Sequence, residues 1–357
     1  MSQIQTNMVP EKTDALCVPL KEGEKIRKYL SEHNLLRTDL KINRDKTYIY
    51  FPINTISKEM ESHGFEIITK EFEKHQIKPT SYREIAAIPE KLKHELPSSY
   101  DIIGDIILIK LSEKLQPYKE KIGESLLKTN QNIKTVALIE PVKGELRTRN
   151  VEIIAGENRT NTTHKEYGLQ FDVDIGRTYF SPRLATERKR VANLVQPGET
   201  VVDMFAGVAP FSIMIAKYAN PKIIYAVDKN KDAIEYAKAN IKKNNVLDKI
   251  EVIHADAEKI HIILDQKDVK ADRIIMNLPF SAHLFFKYAL KIVADTCIIH
   301  YYDILKEDKI QERIEELKTI AKNDRISLTN LDIRKIKTYA PREFYIGIDI
   351  TAEKTPM

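Results

Sequence analysis

Between residues 183 and 302 the chain alternates apolar, β-branched runs with amphipathic stretches of helical period. This alternation constrains the fold more than any other feature. Strands separated each time by a helix must run parallel in one sheet, and crossover handedness leaves few topologies. The pattern predicts helices over 183–194, 210–218, 231–244, 257–264, 282–294 and 310–321. It predicts strands over 200–204, 222–227, 250–254, 272–276 and 296–302. Two further strands, near 331–338 and 344–350, have no helix between them and are expected to close the sheet as an antiparallel hairpin.

The segments upstream read differently. Residues 15–74 mix short strands with one amphipathic helix at 22–33 and suit a small α/β module. The stretch after it reads as mixed α+β. A buried strand is expected over 101–110, interrupted once at Gly104, then a helix over 117–127 with Pro117 in its first turn. Strands follow at 135–140, 145–155 and 165–173, around a turn-rich 156–163. Three domains are expected: 1–74, 75–178 and 179–357.

Composition narrows the class. A length of 357 residues exceeds one typical domain, and 42% hydrophobic residues suffice for several cores. The net charge of +5 permits a nucleic-acid partner without demanding one. Cys17 and Cys297 are the two cysteines, with no zinc spacing, so no structural metal or disulfide framework is expected. No apolar run is long enough to span a bilayer, and the polar start has no signal-peptide core. A cytoplasmic, monomeric protein is the expectation.

The chemistry concentrates at strand ends. Val201-Val-Asp203-Met-Phe205-Ala206-Gly207-Val-Ala-Pro210 reads as a strand ending on an acid, a tight turn and a helix start. Gly207 permits close backbone approach, and Pro210 suits a first helical turn. Asp228 ends the next strand, where an acid accepts hydrogen bonds from ribose hydroxyls. Asp256, after the third, is placed to meet an adenine amino group. A dinucleotide dehydrogenase shares this outline, but the loop offers one glycine where a pyrophosphate needs GxGxxG. Asn277-Leu278-Pro279-Phe280 ends the fourth strand and resembles the Asn-Pro-Pro-Phe loop of amino-group methyltransferases. The parallel sheet with a terminal hairpin is similar to class I (Rossmann-like) S-adenosylmethionine methyltransferases.

Several motifs in order carry a more specific resemblance. They are Asp203-Met-Phe-Ala-Gly-Val-Ala-Pro-Phe-Ser, Ser181-Pro-Arg-Leu with Glu187-Arg188, Asn277-Leu-Pro, Ile299-His-Tyr-Tyr and Thr338-Tyr-Ala-Pro-Arg-Glu. Together they resemble the archaeal–eukaryotic tRNA (guanine-N1)-methyltransferases that modify guanosine 37. The resemblance implies S-adenosylmethionine as methyl donor and tRNA as partner. It implies a cofactor pocket formed by Tyr179, Asp203, Phe205, Ala206, Gly207, Asp228, Asp256, Asn277 and Pro279. Guanine N1 must lose a proton to attack a sulfonium methyl, and charge then develops on O6. The family's base falls on Glu187 and its O6 cation on Arg147. Arg183, Arg188 and Lys189 would meet anticodon-stem phosphates, and Tyr339 and Arg342 would stack on or clamp RNA.

The residues alone leave other readings open. Glu187 stands at salt-bridge spacing from Arg183 and Arg190 on one helix, and Arg147 could be a solvated strand charge. His283 and His300 read as satisfied buried histidines. The family usually has glycine where Ala209 stands, so its methyl crowds the cofactor unless the backbone there stays helical. Exocyclic-amine methylation, added carbon methylation of a wyosine precursor, and an RNA-binding protein with a decayed pocket are the competing functions.

Overall fold

The computed structural model describes residues 10–56, 64–74, 81–140 and 150–355. The chain divides into two compact units, Met1–Thr80 and Ser81–Met357. In the first, β1 (Glu11–Pro19), β2 (Asn43–Arg44), β3 (Tyr48–Pro52) and β4 (Glu66–Phe72) form an antiparallel sheet in the order β2-β3-β1-β4. The helix Gly23–Glu32 buries Ile26 and Leu30, at helical spacing, in a cluster with Leu16, Val18 and Phe51. That cluster is this unit's own core.

The second unit begins with a four-stranded sheet of β5 (Asp101–Ile103), β6 (Ile106–Ile109), β7 (Thr135–Ile139) and β8 (Val151–Gly156), in that order. The single strand expected over 101–110 is instead a tight hairpin, β5 running antiparallel to β6. Gly104 turns it, with a φ of +56°. A Cβ there would lie 2.2 Å from the Thr162 hydroxyl and 2.6 Å from the Thr163 carbonyl oxygen, so only glycine fits. Pro117 sits in the 3-10 turn Glu113–Tyr118, and the α-helix starts after it, at Lys119–Thr129. Its Ile122 and Leu126 pack on Ile107, Ile109 and Val136. The strand expected over 165–173 is also a hairpin, β9 (Asn161–Glu166) and β10 (Leu169–Asp174), turned by Tyr167 and Gly168 at positive φ. Side chains of Asn240 and Asn244, from the helix Lys231–Lys243 and its C-cap, bond the β10 backbone at Asp172 and Gln170.

The alternating stretch forms the seven-stranded sheet. Its strands are β11 (Thr200–Asp203), β12 (Ile223–Asp228), β13 (Ile250–His254), β14 (Ala271–Met276), β15 (Val293–Lys306), β16 (Ile326–Ala340) and β17 (Glu343–Lys354). The order is β13-β12-β11-β14-β15-β17-β16. β11 to β15 pair in parallel, and β17 is antiparallel to both β15 and β16. This is the class I α/β architecture with its terminal hairpin. Strand order reverses between β11 and β14, so the loops after these strands part and leave a crevice at their carboxyl ends. The hairpin strands are longer than the sequence pattern indicates, because β16 and the ends of β17 are half-exposed and carry no clean apolar run. Among the described residues no helix is long and apolar enough to cross a membrane, and no group of three or more His, Cys, Asp or Glu could hold a metal ion.

Candidate active site

The crevice opens into a cavity of about 920 Å³ within the second unit. One part of its wall is the turn after β11. Gly207 has a φ of +57°, and its amide donates to Asp228 Oδ2 at 2.7 Å. The Asn230 amide donates to Asp228 Oδ1 at 2.8 Å. Burial pushes the Asp228 carboxyl upward, and these backbone amides only partly offset it. The carboxylate keeps at least one further acceptor position. Asp256 also lines the cavity; it caps the turn after β13 and pairs with Lys229 at 3.1 Å. Phe205 packs edge-on against Phe285, with ring centres 5.2 Å apart, to give an apolar wall. Acceptor carboxylates beside an apolar wall suit a nucleoside with a ribose diol and an amino group. Tyr179, Ala206, Asn277 and Pro279 line the same cavity.

Three residues of the Gly207 loop, Asp203, Val208 and Ala209, do not. Asp203 is 1% exposed and lies beneath the loop, its Oδ2 accepting from the Ser212 hydroxyl at 2.8 Å. Its Oδ1 has no partner among the described residues, and burial pushes the carboxyl up to about 7. Asp203 therefore supports the loop from below and makes no cavity wall. Ala209 adopts left-handed φ/ψ of 66° and 36°, the conformation for which glycine is suited. Its backbone is thus not right-handed helical. Its methyl is fully buried in the core rather than lining the cavity.

The loop after β14 forms the facing wall. Phe280, at a φ of +73°, is held by its amide donating to Asp303 Oδ1 at 3.0 Å. Asp303 is fully buried, accepts from the Tyr301 hydroxyl at 2.8 Å and lies 3.2 Å from Arg313. The Phe280 ring is half-exposed and meets Tyr339 of the terminal hairpin edge-on, 5.5 Å between centres. The Tyr345 hydroxyl donates to Asn277 Oδ1.

Glu187 heads the helix Ala185–Leu194, one turn from Arg183 and Leu184, which line the cavity. Its own carboxylate does not line it. Oε1 accepts from the Tyr302 hydroxyl at 2.8 Å, and Arg190 donates to both oxygens at 2.7 and 2.9 Å. Burial pushes the carboxyl upward, but Arg190, Tyr302 and the charge of Arg334 outweigh it and hold it below the usual range. Arg190 and Arg334 also bind Asp349, which has a third partner in His300 Nδ1 at 2.6 Å. His300 is fully buried and also contacts Arg273 through Nε2, so it is a satisfied core histidine. His283 Nδ1, by contrast, has no partner among the described residues.

The basic residues separate. Arg188 is 1% exposed and forks both oxygens of buried Glu166 at 2.7 and 2.5 Å, which corrects its expected role at a phosphate. Arg183 is exposed beside Asp101, and Lys189 lies 3.4 Å over the Tyr218 ring. Tyr339 and Arg342 are exposed on the terminal hairpin; Tyr339 lines the cavity and Arg342 does not. Arg147 falls outside the described residues. The sequence motifs give no role to Tyr302, which ends Ile299-His-Tyr-Tyr, and miss Asp303, Tyr345 and Asp349. These residues reach the site through the long β15–β17 register that sets Tyr302 opposite Gly347 and His300 opposite Asp349.

The chain matches the profile of the TRM5/TYW2 methyltransferase domain over residues 162–329. It also matches the TYW2 N-terminal domain over 82–160 and the tRNA methyltransferase 5 N-terminal domain over 15–61. The tRNA (guanine(37)-N(1))-methyltransferase Trm5b of Pyrococcus abyssi is 41% identical over 94% of this chain and 98% of its own length. The tRNA(Phe) (4-demethylwyosine(37)-C(7)) aminocarboxypropyltransferase of Methanocaldococcus jannaschii is 37% identical over 71% of this chain and 98% of its own length. The solved complex of aTrm5 with tRNALeu superposes with a TM-score of 0.81 at 39% identity, over 94% of this chain and 99% of that one. With this similarity running nearly end to end, the chain belongs to the TRM5/TYW2 methyltransferase family.

Proposed function

We propose that this protein transfers a methyl group from S-adenosylmethionine to N1 of guanosine 37 in tRNA. One observation carries the reading: a single cavity is lined both by the Asp228 and Asp256 acceptors around the Gly207 turn and by the Asn277–Phe280 loop. The first set suits the nucleoside half of the methyl donor, and the second suits a flipped base. The relatives named for N1 methylation align over nearly the whole chain, whereas the aminocarboxypropyltransferase aligns over 71% of it.

Bound S-adenosylmethionine supplies an electrophilic methyl. Asp228 accepts from the ribose hydroxyls, and Asp256 accepts from the adenine amine. Tyr179, Phe205, Ala206, Gly207 and Pro279 shape the wall. Glu187 takes the N1 proton once its carboxylate turns from Arg190 toward the base, and Arg147 meets the charge that develops on O6. Arg183, Lys189 and Arg342 contact phosphate, and Tyr339 contacts a base. The chain works as a cytoplasmic monomer in three parts, 1–74, 75–178 and 179–357.

Nucleoside analysis of G37 tRNA incubated with the protein and S-adenosylmethionine tests this. N1-methylguanosine, absent when position 37 is adenosine, is expected. An N2- or N6-methyl product, an aminocarboxypropyl product or no product overturns it.

A further inference from the structure

Two buried tyrosines, diagonal neighbours across β15 and β17, each occupy one acceptor oxygen beside the cavity. Tyr302 donates to Glu187 Oε1. Tyr345, 1% exposed and with its ring centre 6.2 Å from that of Tyr302, donates to Asn277 Oδ1. Tyr345 stands on β17 opposite Ile304, two pairs in from the hairpin end of the ladder, and its ring is held by burial in the core cluster that also contains Tyr302 and Ile304. Asn277, in contrast, is half-buried at a strand end and lines the cavity. Its amide nitrogen has no hydrogen-bond partner among the described residues.

An asparagine side chain can present either a carbonyl or an amino group to a ligand. With Oδ1 already taken by a fixed hydroxyl, Nδ2 with its two N–H groups is what remains. We propose that Tyr345 is a positioning residue that fixes Asn277 as a hydrogen-bond donor toward the cavity, so that the site selects a base presenting an acceptor, guanine O6, and rejects one presenting an exocyclic amine. The inference rests on the N1-methylation reading and deepens it. Negative charge gathers on O6 as N1 loses its proton, so a donor fixed there beforehand gains strength on the way to the transition state. An amine target needs the opposite polarity. The same Asn-Leu-Pro-Phe loop would suit amine methylation only if its amide oxygen faced the cavity.

The test is single-turnover N1-methylguanosine formation at saturating protein and S-adenosylmethionine, on tRNA carrying guanosine or 6-thioguanosine at position 37. Tyr345→Phe keeps the ring and frees the amide. Its rate is expected to fall about ten-fold or more, as for a weakened oxyanion donor, with tRNA and cofactor affinities within about two-fold of wild type. Sulfur at position 6 is a poor acceptor, so it slows the wild type. It should slow Tyr345→Phe less, because the contact it weakens is already disordered. Asn277→Asp presents only acceptors and is expected to lose about 100-fold or more. Because Asn277 is half-buried at the cavity wall, this variant stays informative should Tyr345→Phe fail to fold. A Tyr345→Phe rate equal to wild type, an equal thio penalty in both proteins, or an active Asn277→Asp variant overturns the proposal. Wild-type protein that forms no N1-methylguanosine sinks the underlying function instead, so the two failures are distinct.

Discussion

The Tyr302 hydroxyl donates to Glu187 Oε1 at 2.8 Å, across 115 residues of sequence. The tyrosine is fully buried, and both burial and the neighbouring carboxylate push its hydroxyl well above the ordinary range, so it remains a neutral donor. Gly347 lies opposite it in the ladder. A Cβ there would come within 3.1 Å of the Tyr302 ring, so glycine makes the room the ring needs. Glu187 is thus held ionised at neutral pH by Tyr302 and Arg190 together.

Glu187→Gln keeps size and most hydrogen bonding but removes basicity. Single-turnover methylation should fall about 10²–10⁴-fold, the usual cost of losing a general base. Cofactor and tRNA affinities should hold. The carboxyl lies below its ordinary 4.5, so it is already ionised and the wild-type rate does not rise with pH near neutrality on its account. The glutamine variant should speed up with pH, as guanine N1 begins to ionise unaided. Arg190 also loses one of its two carboxylate partners, keeping Asp349, which costs about 1–3 kcal/mol of stability. A purely structural Glu187 predicts that stability loss with unchanged single-turnover rates.

Asp228→Ala removes the proposed ribose acceptor and leaves the Gly207 and Asn230 amides without their partner. Hydrogen bonds to a charged group are worth about 1.5–3 kcal/mol, so S-adenosylmethionine affinity should fall roughly ten-fold or more. Titration calorimetry on the folded variant checks it, and unchanged affinity would remove Asp228 from the cofactor site.

Arg188 and Glu166 are both buried, so replacing the arginine strands a charge. Arg188→Ala should cost about 3–5 kcal/mol of folding stability. The salt dependence of tRNA binding should stay as in wild type. Arg183→Ala should do the reverse, lowering the salt slope by about 1 with little change in melting temperature. Thermal melts and binding isotherms at several salt concentrations separate the two, and a reduced slope for Arg188→Ala at normal stability would restore it as an RNA contact.

Much of the sheet was legible because buried parallel strands are short, apolar and punctuated by helices, and β11 to β14 end where acids or turns appear. The cofactor side of the site follows, since Asp228 and the Gly207 turn sit at strand ends by sequence alone. Hairpin turns made by Gly104 and by Tyr167-Gly168 were hidden because each lies inside an otherwise strand-like run. Arg188 misled because one more arginine in a basic run reveals nothing of Glu166, which reaches it from the β9–β10 hairpin. Tyr345 and Asp349 fall in the strand expected near 344–350, but what they face follows only from the register of β15 on β17.

Ala209 tests how the loop tolerates a side chain. Left-handed alanine costs about 1–2 kcal/mol, whereas glycine adds chain entropy to the unfolded state worth about 0.4–1 kcal/mol and here also loses a buried methyl worth about 0.8 kcal/mol. Ala209→Gly should therefore shift stability by less than about 1 kcal/mol. S-adenosylmethionine affinity should be unchanged, because the methyl faces the core. Tighter cofactor binding by the glycine variant would show that the methyl crowds the site after all.

Asp203 gives the clearest dependence of stability on pH. Burial raises its folded value from 3.8 to about 7. Below 3.8 both folded and unfolded chains hold the proton, and the residue carries no penalty. Between 3.8 and about 7 the unfolded chain ionises while the folded one does not, so stability falls as pH rises through this window. Above about 7 both states are ionised and the penalty stays constant. Asp203→Asn keeps an oxygen for the Ser212 hydroxyl and cannot ionise. Its melting temperature relative to wild type should climb with pH across that window and level off above it. Melts of both proteins at a series of pH values decide it, and a difference that does not change with pH would mean that Asp203 folds already charged, with the field of its surroundings compensating its burial.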